Sequence, residues 1–145
     1  MLRCRSRQPG SYGAGLSTYQ FREYLAFNNS IIANNYAGGV EDDLCSLFLD
    51  ITVIGSSNVI RSANIDLPPD TIGDDPRLAP LADNGGPTLT NALLSGSPAK
   101  DAGHDERIAR YDQRGPGFLR EVGAHADIGA YEAQTANILF ANGFD

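Results

Sequence analysis

The feature that most constrains this chain is how often it is forced to turn. From Ile65 to Pro87 it reads IDLPPDTIGDDPRLAPLADNGGP, punctuated by Pro68, Pro69, Pro76, Pro80 and Pro87. Proline lacks the N–H that a helix interior or a central strand needs, and it pushes the preceding residue toward extended backbone. No helix crosses such a stretch and no regular strand fills it, so it is expected to be a long ordered connection. The same grammar returns at Gly96-Ser97-Pro98 and Gly115-Pro116-Gly117. The 145 residues include 16 glycines and 8 prolines and no tryptophan. That composition suits short strands joined by many turns, and the length allows one domain with a real core.

The apolar runs between the turns are short. LAFNNSIIANN, with Leu25, Phe27, Ile31 and Ile32, reads as a strand leaving into a turn. LFLDITVIGSSNVI is rich in β-branched residues and gives the strongest strand pattern, with Gly55 as a bend. TLTNALL (residues 88–94) alternates like a strand, ADIGAYEAQ (126–134) reads as a last strand, and ANILFANGF is a candidate for one more. HDERIARY is the one short stretch of helical character. Residues 1–20 are expected to be irregular, and residues 134–145 a short tail. Ile31 and Ile54 sit in similar surroundings, and their separation, in the low twenties, suits one coil of a parallel solenoid.

The chemistry-bearing motifs are sparse. DNGGPTLT (83–90) has adjacent glycines, no following lysine and no helix behind it, so it does not cradle a phosphate. It reads as a corner leading into a strand at Thr88, since Asn and Gly tolerate positive φ. Asp74, Asp75, Asp83, Asp101 and Asp105 offer hard oxygen donors for calcium, but no DxDxDG loop organises them. Zinc is excluded by the lack of a CxxC pair and by the presence of two histidines only. GxSxG is absent, and His104 and His125 lie among the acids Asp105, Glu106 and Asp127 as solvated loop residues. A lyase-type base could be drawn with Lys100 or Arg114 beside Asp101 and Asp112, but no spacing marks it. No catalytic, cofactor-binding or metal residue is therefore assigned. Asn28-Asn29-Ser30 matches a glycosylation acceptor triplet.

The net charge of −7 argues against nucleic acid as a partner, because the long-range field repels phosphate. No apolar run approaches the length of a membrane helix. The basic start with Arg3, Arg5 and Arg7 has no apolar segment behind it, so it does not read as a signal peptide. With Cys4 and Cys45 alone, one disulfide can form, but no disulfide framework exists.

Taken in order, NSIIANN (29–35), DPRLAPLADNGGPTLTNALLSGSPAKDAG (75–103), DQRG (112–115) and DIGAYE (127–132) resemble the choice-of-anchor Q domain. That domain forms the C-terminal part of bacterial surface or secreted right-handed parallel β-helix proteins. The resemblance spans about Phe27 to Glu132 and implies a mainly β fold, the end of a right-handed parallel β-helix over residues 21–133. It also implies a secreted or cell-surface setting and a non-enzymatic structural or capping role, with contact to a surface glycan or another cell-envelope component. The alternative is a fragment of a carbohydrate-active β-helix enzyme, a polysaccharide lyase or hydrolase. The tail ILFANGFD resembles C-terminal segments of some exported proteobacterial proteins.

Relatives carry a signal peptide and further upstream coils, so the chain is expected to be a truncated product with the rest of a longer β-helix missing. Lys100 stands where the family has an apolar residue, and must reach solvent or Asp101. Ala126 stands where relatives often have cysteine, which leaves Cys45 expected to be unpaired. DIGAYE is expected to be a final rung, with Ile128 and Ala130 on one face and Asp127 and Gly129 on the other. Ile128→Asp should then abolish soluble folding, whereas Asp105→Ala should leave the melting temperature nearly unchanged. Equal effects in thermal melts would contradict the assignment.

Overall fold

The computed structural model describes residues 15–18, 24–46, 51–104 and 109–134. The described chain is built from short strands and turns and contains no helix. It forms two compact units, residues 1–76 and 77–145.

Every strand among the described residues lies in the first unit. β1 (Leu16–Thr18), β2 (Tyr24–Ala26) and β3 (Ile31–Ile32) pair in parallel with β6 (Leu44–Ser46), β7 (Thr52–Ile54) and β8 (Val59–Ile60), respectively. β4 (Tyr36–Ala37) and β5 (Val40–Glu41) form a small antiparallel hairpin. The three parallel pairs share one register, with Leu16 opposite Leu44, Tyr24 opposite Thr52 and Ile31 opposite Val59. The step along the chain is the same in each pair. It is the step of 28 that the Asn28–Ser56 and Ser30–Asn58 hydrogen bonds also span. The offset between paired strands is therefore longer than the interval from Ile31 to Ile54 suggests. Those two isoleucines belong to different strand pairs: Ile54 lies opposite Ala26. β1 also falls within the segment 1–20, where irregular chain is the expectation.

Alternation decides what is buried. In β7, Val53 points inward while Thr52 and Ile54 are exposed. Val53 joins Leu44 and Ile60 in a core against which Leu25, Phe27, Ile32, Ala63, Ile65 and Leu67 pack. Gly55 supplies the bend after β7. Its φ is 114°, and a Cβ there would collide with the Phe27 carbonyl. The backbones approach this closely because the Phe27 amide donates to Ile54 O at 3.0 Å.

Where strands end, side-chain amides and acids continue the pairing. Buried Asn58 accepts from the Ser30 amide at 3.0 Å and donates through Nδ2 to Phe27 O at 2.8 Å. Buried Asp43 accepts the Asn35 amide and Asn35 Nδ2, both at 2.9 Å, and the Ser62 amide at 3.1 Å. Asn64 grips Ser46 through both its amide and carbonyl groups, at 2.8 and 2.6 Å.

The segment 62–72 then runs along the far edges of β6 and β8. Leu44 bridges Ala63 and Val59 bridges Ile72, both in parallel. Ile60 N donates to Ile72 O at 3.0 Å, and Ile72 N to Asn58 O at 2.8 Å. Pro68 and Pro69 lie between the two bridges, so the contact stays local. Cys45, buried on β6, is disulfide-bonded. This corrects the expectation of an unpaired thiol; the other cysteine of the sequence, Cys4, lies outside the described residues.

The second unit differs from expectation. TLTNALL is not a strand. It makes isolated antiparallel bridges, Thr90 with Ala82 and Leu93 with Leu78, so DNGGPT is the tip of a loose hairpin. The Ala79 amide donates to Ala92 O at 2.8 Å, Ala82 and Thr90 exchange two bonds of 3.0 Å, and Pro80 falls between these donors. DIGAYE is not a rung either. Residues 128–130 form a bend, and Asp127 and Ile128 are both buried instead of alternating. Ala133 and Asp101 hold Asp127 through their amides, and such side-chain bonds compete with a ladder. The helical character of HDERIARY and the ANILFANGF strand fall largely or wholly outside the described residues, as does Asp105.

Asn58→Ala removes the partners of the half-buried Ser30 amide and Phe27 carbonyl, an expected cost of about 1–3 kcal/mol. Asn28→Ala removes an exposed bond to the Ser56 amide and should cost less than about 1 kcal/mol. Urea unfolding of both variants checks the order; similar costs would mean that Asn58 does not bind the layers.

Candidate functional site

The densest chemistry lies in the second unit. There Asp112, Arg114, Arg120, Asp127 and Glu132 are all buried. The apolar residues buried with them are few and mostly small: Ala99, Ala126 and Ile128. Charges therefore take the place that a larger apolar core would otherwise fill, and they persist only if each is paired and hydrogen-bonded.

Each is. Arg114 Nη2 contacts Asp112 Oδ2 at 2.6 Å, and Nε lies 3.2 and 3.0 Å from the two Asp112 oxygens. Nη2 also donates to Glu132 O at 2.6 Å. The guanidinium plane is sandwiched between Phe118 and Tyr131, with ring centroids at 4.0 and 3.9 Å. Asp112 further accepts the Arg114 and Glu132 amides at 2.8 and 2.9 Å. Asp127 accepts the Asp101 and Ala133 amides, both at 2.7 Å. Arg120 donates to Asp127 O at 2.9 Å and approaches Glu132 Oε2 at 3.5 Å. Glu132 accepts the Val122 amide at 3.1 Å and the Asp127 amide at 2.8 Å.

DQRG and DIGAYE are thus two halves of one cluster, and the DNGGPT corner closes on it. A Cβ on Gly86 would lie 2.5 Å from the Arg114 Cα and carbonyl oxygen. With φ at 84° as well, the position requires glycine. Asn84 O accepts from Arg114 Nη1 at 3.4 Å, and Gln113 Nε2 donates to Thr88 Oγ1 at 2.8 Å.

Of the residues weighed for catalysis, Arg114 and Asp112 are brought together, as a buried ion pair. Lys100 is exposed and reaches solvent. Asp101 spends one carboxylate oxygen on the Ala124 amide at 3.0 Å. Arg114 is permanently charged and fully engaged, so it cannot act as a base. His104 and His125 are exposed. Of the acids considered for calcium, Asp74 and Asp75 are exposed, and Asp83 accepts the Gly85 amide at 3.0 Å. Among the described residues no group of three or more His, Cys, Asp or Glu side chains could hold a metal. No described helix is long and apolar enough to cross a membrane. Sequence reading misses Glu132 and Arg120 as cluster members, because nothing local distinguishes a buried acid from a solvated one.

The cluster holds three acids and two arginines, so one negative charge is uncompensated when all are ionised. Burial pushes the Glu132 carboxyl up to about 7, aided by the nearby Asp127 charge and opposed by the Asp127 and Val122 amides and by Arg120. The folded state therefore holds a proton that the unfolded chain releases near its ordinary value of 4.5. Stability is fully present below about pH 4.5 and is lost as pH rises to about 7, by on the order of 3 kcal/mol. Glu132→Gln should flatten the slope of unfolding free energy across that window; an unchanged slope would assign it to another group. No family model matches the chain, and no curated protein or solved structure matches it either.

Proposed function

We propose that this chain is the terminal, non-enzymatic part of a right-handed parallel β-helix, borne on a bacterial surface or secreted, and similar to the choice-of-anchor Q domain. The carrying observation is the single chain offset shared by three parallel strand pairs. One coil of a three-sided solenoid would run through β1, β2 and β3, and the next through β6, β7 and β8. Parallel crossovers of this kind are right-handed in nearly all proteins. Segment 62–72 would then serve as the cap of the last coil, since it covers the edges of β6 and β8 that would otherwise template aggregation.

Three further observations support the reading. The buried arginines of the second unit are each paired with a buried acid, which suits a structural role. The disulfide at Cys45 suits an oxidising, extracytoplasmic compartment. The charge of −7 favours a partner other than nucleic acid, such as a surface glycan or another cell-envelope component.

The repeat supplies the test. Inserting a second copy of residues 31–58 before Val59 adds one whole coil, and should give a soluble protein with a steeper urea dependence. Inserting half that length should disrupt folding. Equal tolerance of both insertions would rule out the solenoid. Unsaturated products on incubation with acidic polysaccharides would replace the structural role with that of a lyase.

A further inference from the structure

Asn84 precedes Gly85, and an asparagine followed by glycine is prone to cyclise because no side chain shields the glycine nitrogen. In that reaction the Gly85 nitrogen loses its proton to solvent base and bonds to Asn84 Cγ. The Cγ–Nδ2 bond breaks and ammonia leaves with a proton. One water then opens the succinimide, giving aspartate or isoaspartate with no change of oxidation state.

The fold restrains both reacting groups. Asn84 Nδ2 donates to Thr90 O at 2.8 Å, to Thr90 Oγ1 at 3.1 Å and to Ala82 O at 3.4 Å. The Gly85 amide is held on Asp83 Oδ1 at 3.0 Å. A ring cannot close while the leaving nitrogen is tied to the opposite arm of the hairpin and the attacking nitrogen to Asp83. Reaction must await local opening.

The product would not fit. A carboxylate at position 84 has no donor to offer Thr90 O and would face that carbonyl with like charge. Isoaspartate would also lengthen the backbone beside Gly85 and Gly86. An added Cβ at these glycines would lie 2.5 Å from the Phe118 ring and 2.5 Å from the Arg114 backbone, respectively. These are the corner residues that close on the ion cluster.

We infer that Asn84-Gly85 is a latent deamidation site that folding suppresses, and that modification there detaches the corner from Arg114. The inference concerns the second unit alone and does not depend on the β-helix reading. Intact protein and its tryptic peptide 78–100 are incubated at mildly alkaline pH, and deamidation at position 84 is followed by mass mapping, which reads the exchange of the amide NH2 for OH. That mapping separates it from Asn142-Gly143, which lies outside the described residues. Deamidation should be at least about tenfold slower in the intact protein. Equal rates, or an unreactive peptide, would overturn the inference. Asn84→Asp, which imitates one product, should speed tryptic cleavage after Arg114 while cleavage after Arg61 in the first unit stays unchanged. Unchanged protection of Arg114 would overturn the second half. The first comparison uses the native sequence, so it decides the first half even if the variant fails to fold.

Discussion

The Arg114–Asp112 pair is the interaction on which the second unit depends. A guanidinium cannot shed its charge, so once buried it must be surrounded by acceptors and polarisable faces. Asp112 supplies the charge, the Glu132 carbonyl a further acceptor, and Phe118 and Tyr131 the two faces. Each demand recruits a different stretch of chain. The turn at residues 115–117 brings Phe118 back over its own arginine, with the Phe118 amide bonding Gly115 O at 3.1 Å. Residues 131 and 132 close the other side. The unit needs no regular secondary structure because ionic and amide bonds supply the cross-links that a sheet would otherwise provide.

The first unit solves its problem by pairing short strands in parallel. Strands of two or three residues bury little surface each, and parallel pairs of that length are weak alone. Asn58, Asp43 and Asn64 extend the pairing past the strand ends, each bonding backbone groups of a neighbouring layer. Asn35 of NNSIIANN and Asn58 of SSNVI are thus parts of this bonding rather than solvated loop residues, whereas Asn28 and Asn34 are exposed. Both units rest on the same rule: a buried polar group costs little when every donor and acceptor has a partner.

The two halves of the molecule differ in how legible they are. The β-branched run around Ile51–Ile60 and the bend at Gly55 can be read directly, because alternation and glycine act locally. The offset between paired strands cannot, since Ile31 and Ile54 look alike in sequence but occupy different strand pairs. TLTNALL alternates as a strand would, yet its neighbour across the hairpin carries Pro80, so pairing reduces to isolated bridges. DIGAYE also alternates, but Asp127 is drawn inward by two amides and the extended run is lost.

By itself the sequence determined that the described residues would be built from strands and turns, because its β-branched runs are short and the stretch from Ile65 to Pro87 carries five prolines. It also set the corner at residues 83–87, where Asn84, Gly85 and Gly86 permit the backbone that other residues resist. Only the tertiary structure decided which acids would be buried. Asp112, Asp127 and Glu132 are no more apolar in sequence than the exposed Asp74 and Asp75. What separates them is the supply of arginines and of amide donors from distant parts of the chain, such as the Asp101 amide at Asp127 and the Glu132 amide at Asp112. Hydrogen-bond satisfaction of a buried charge belongs to the assembled fold, and no local pattern encodes it.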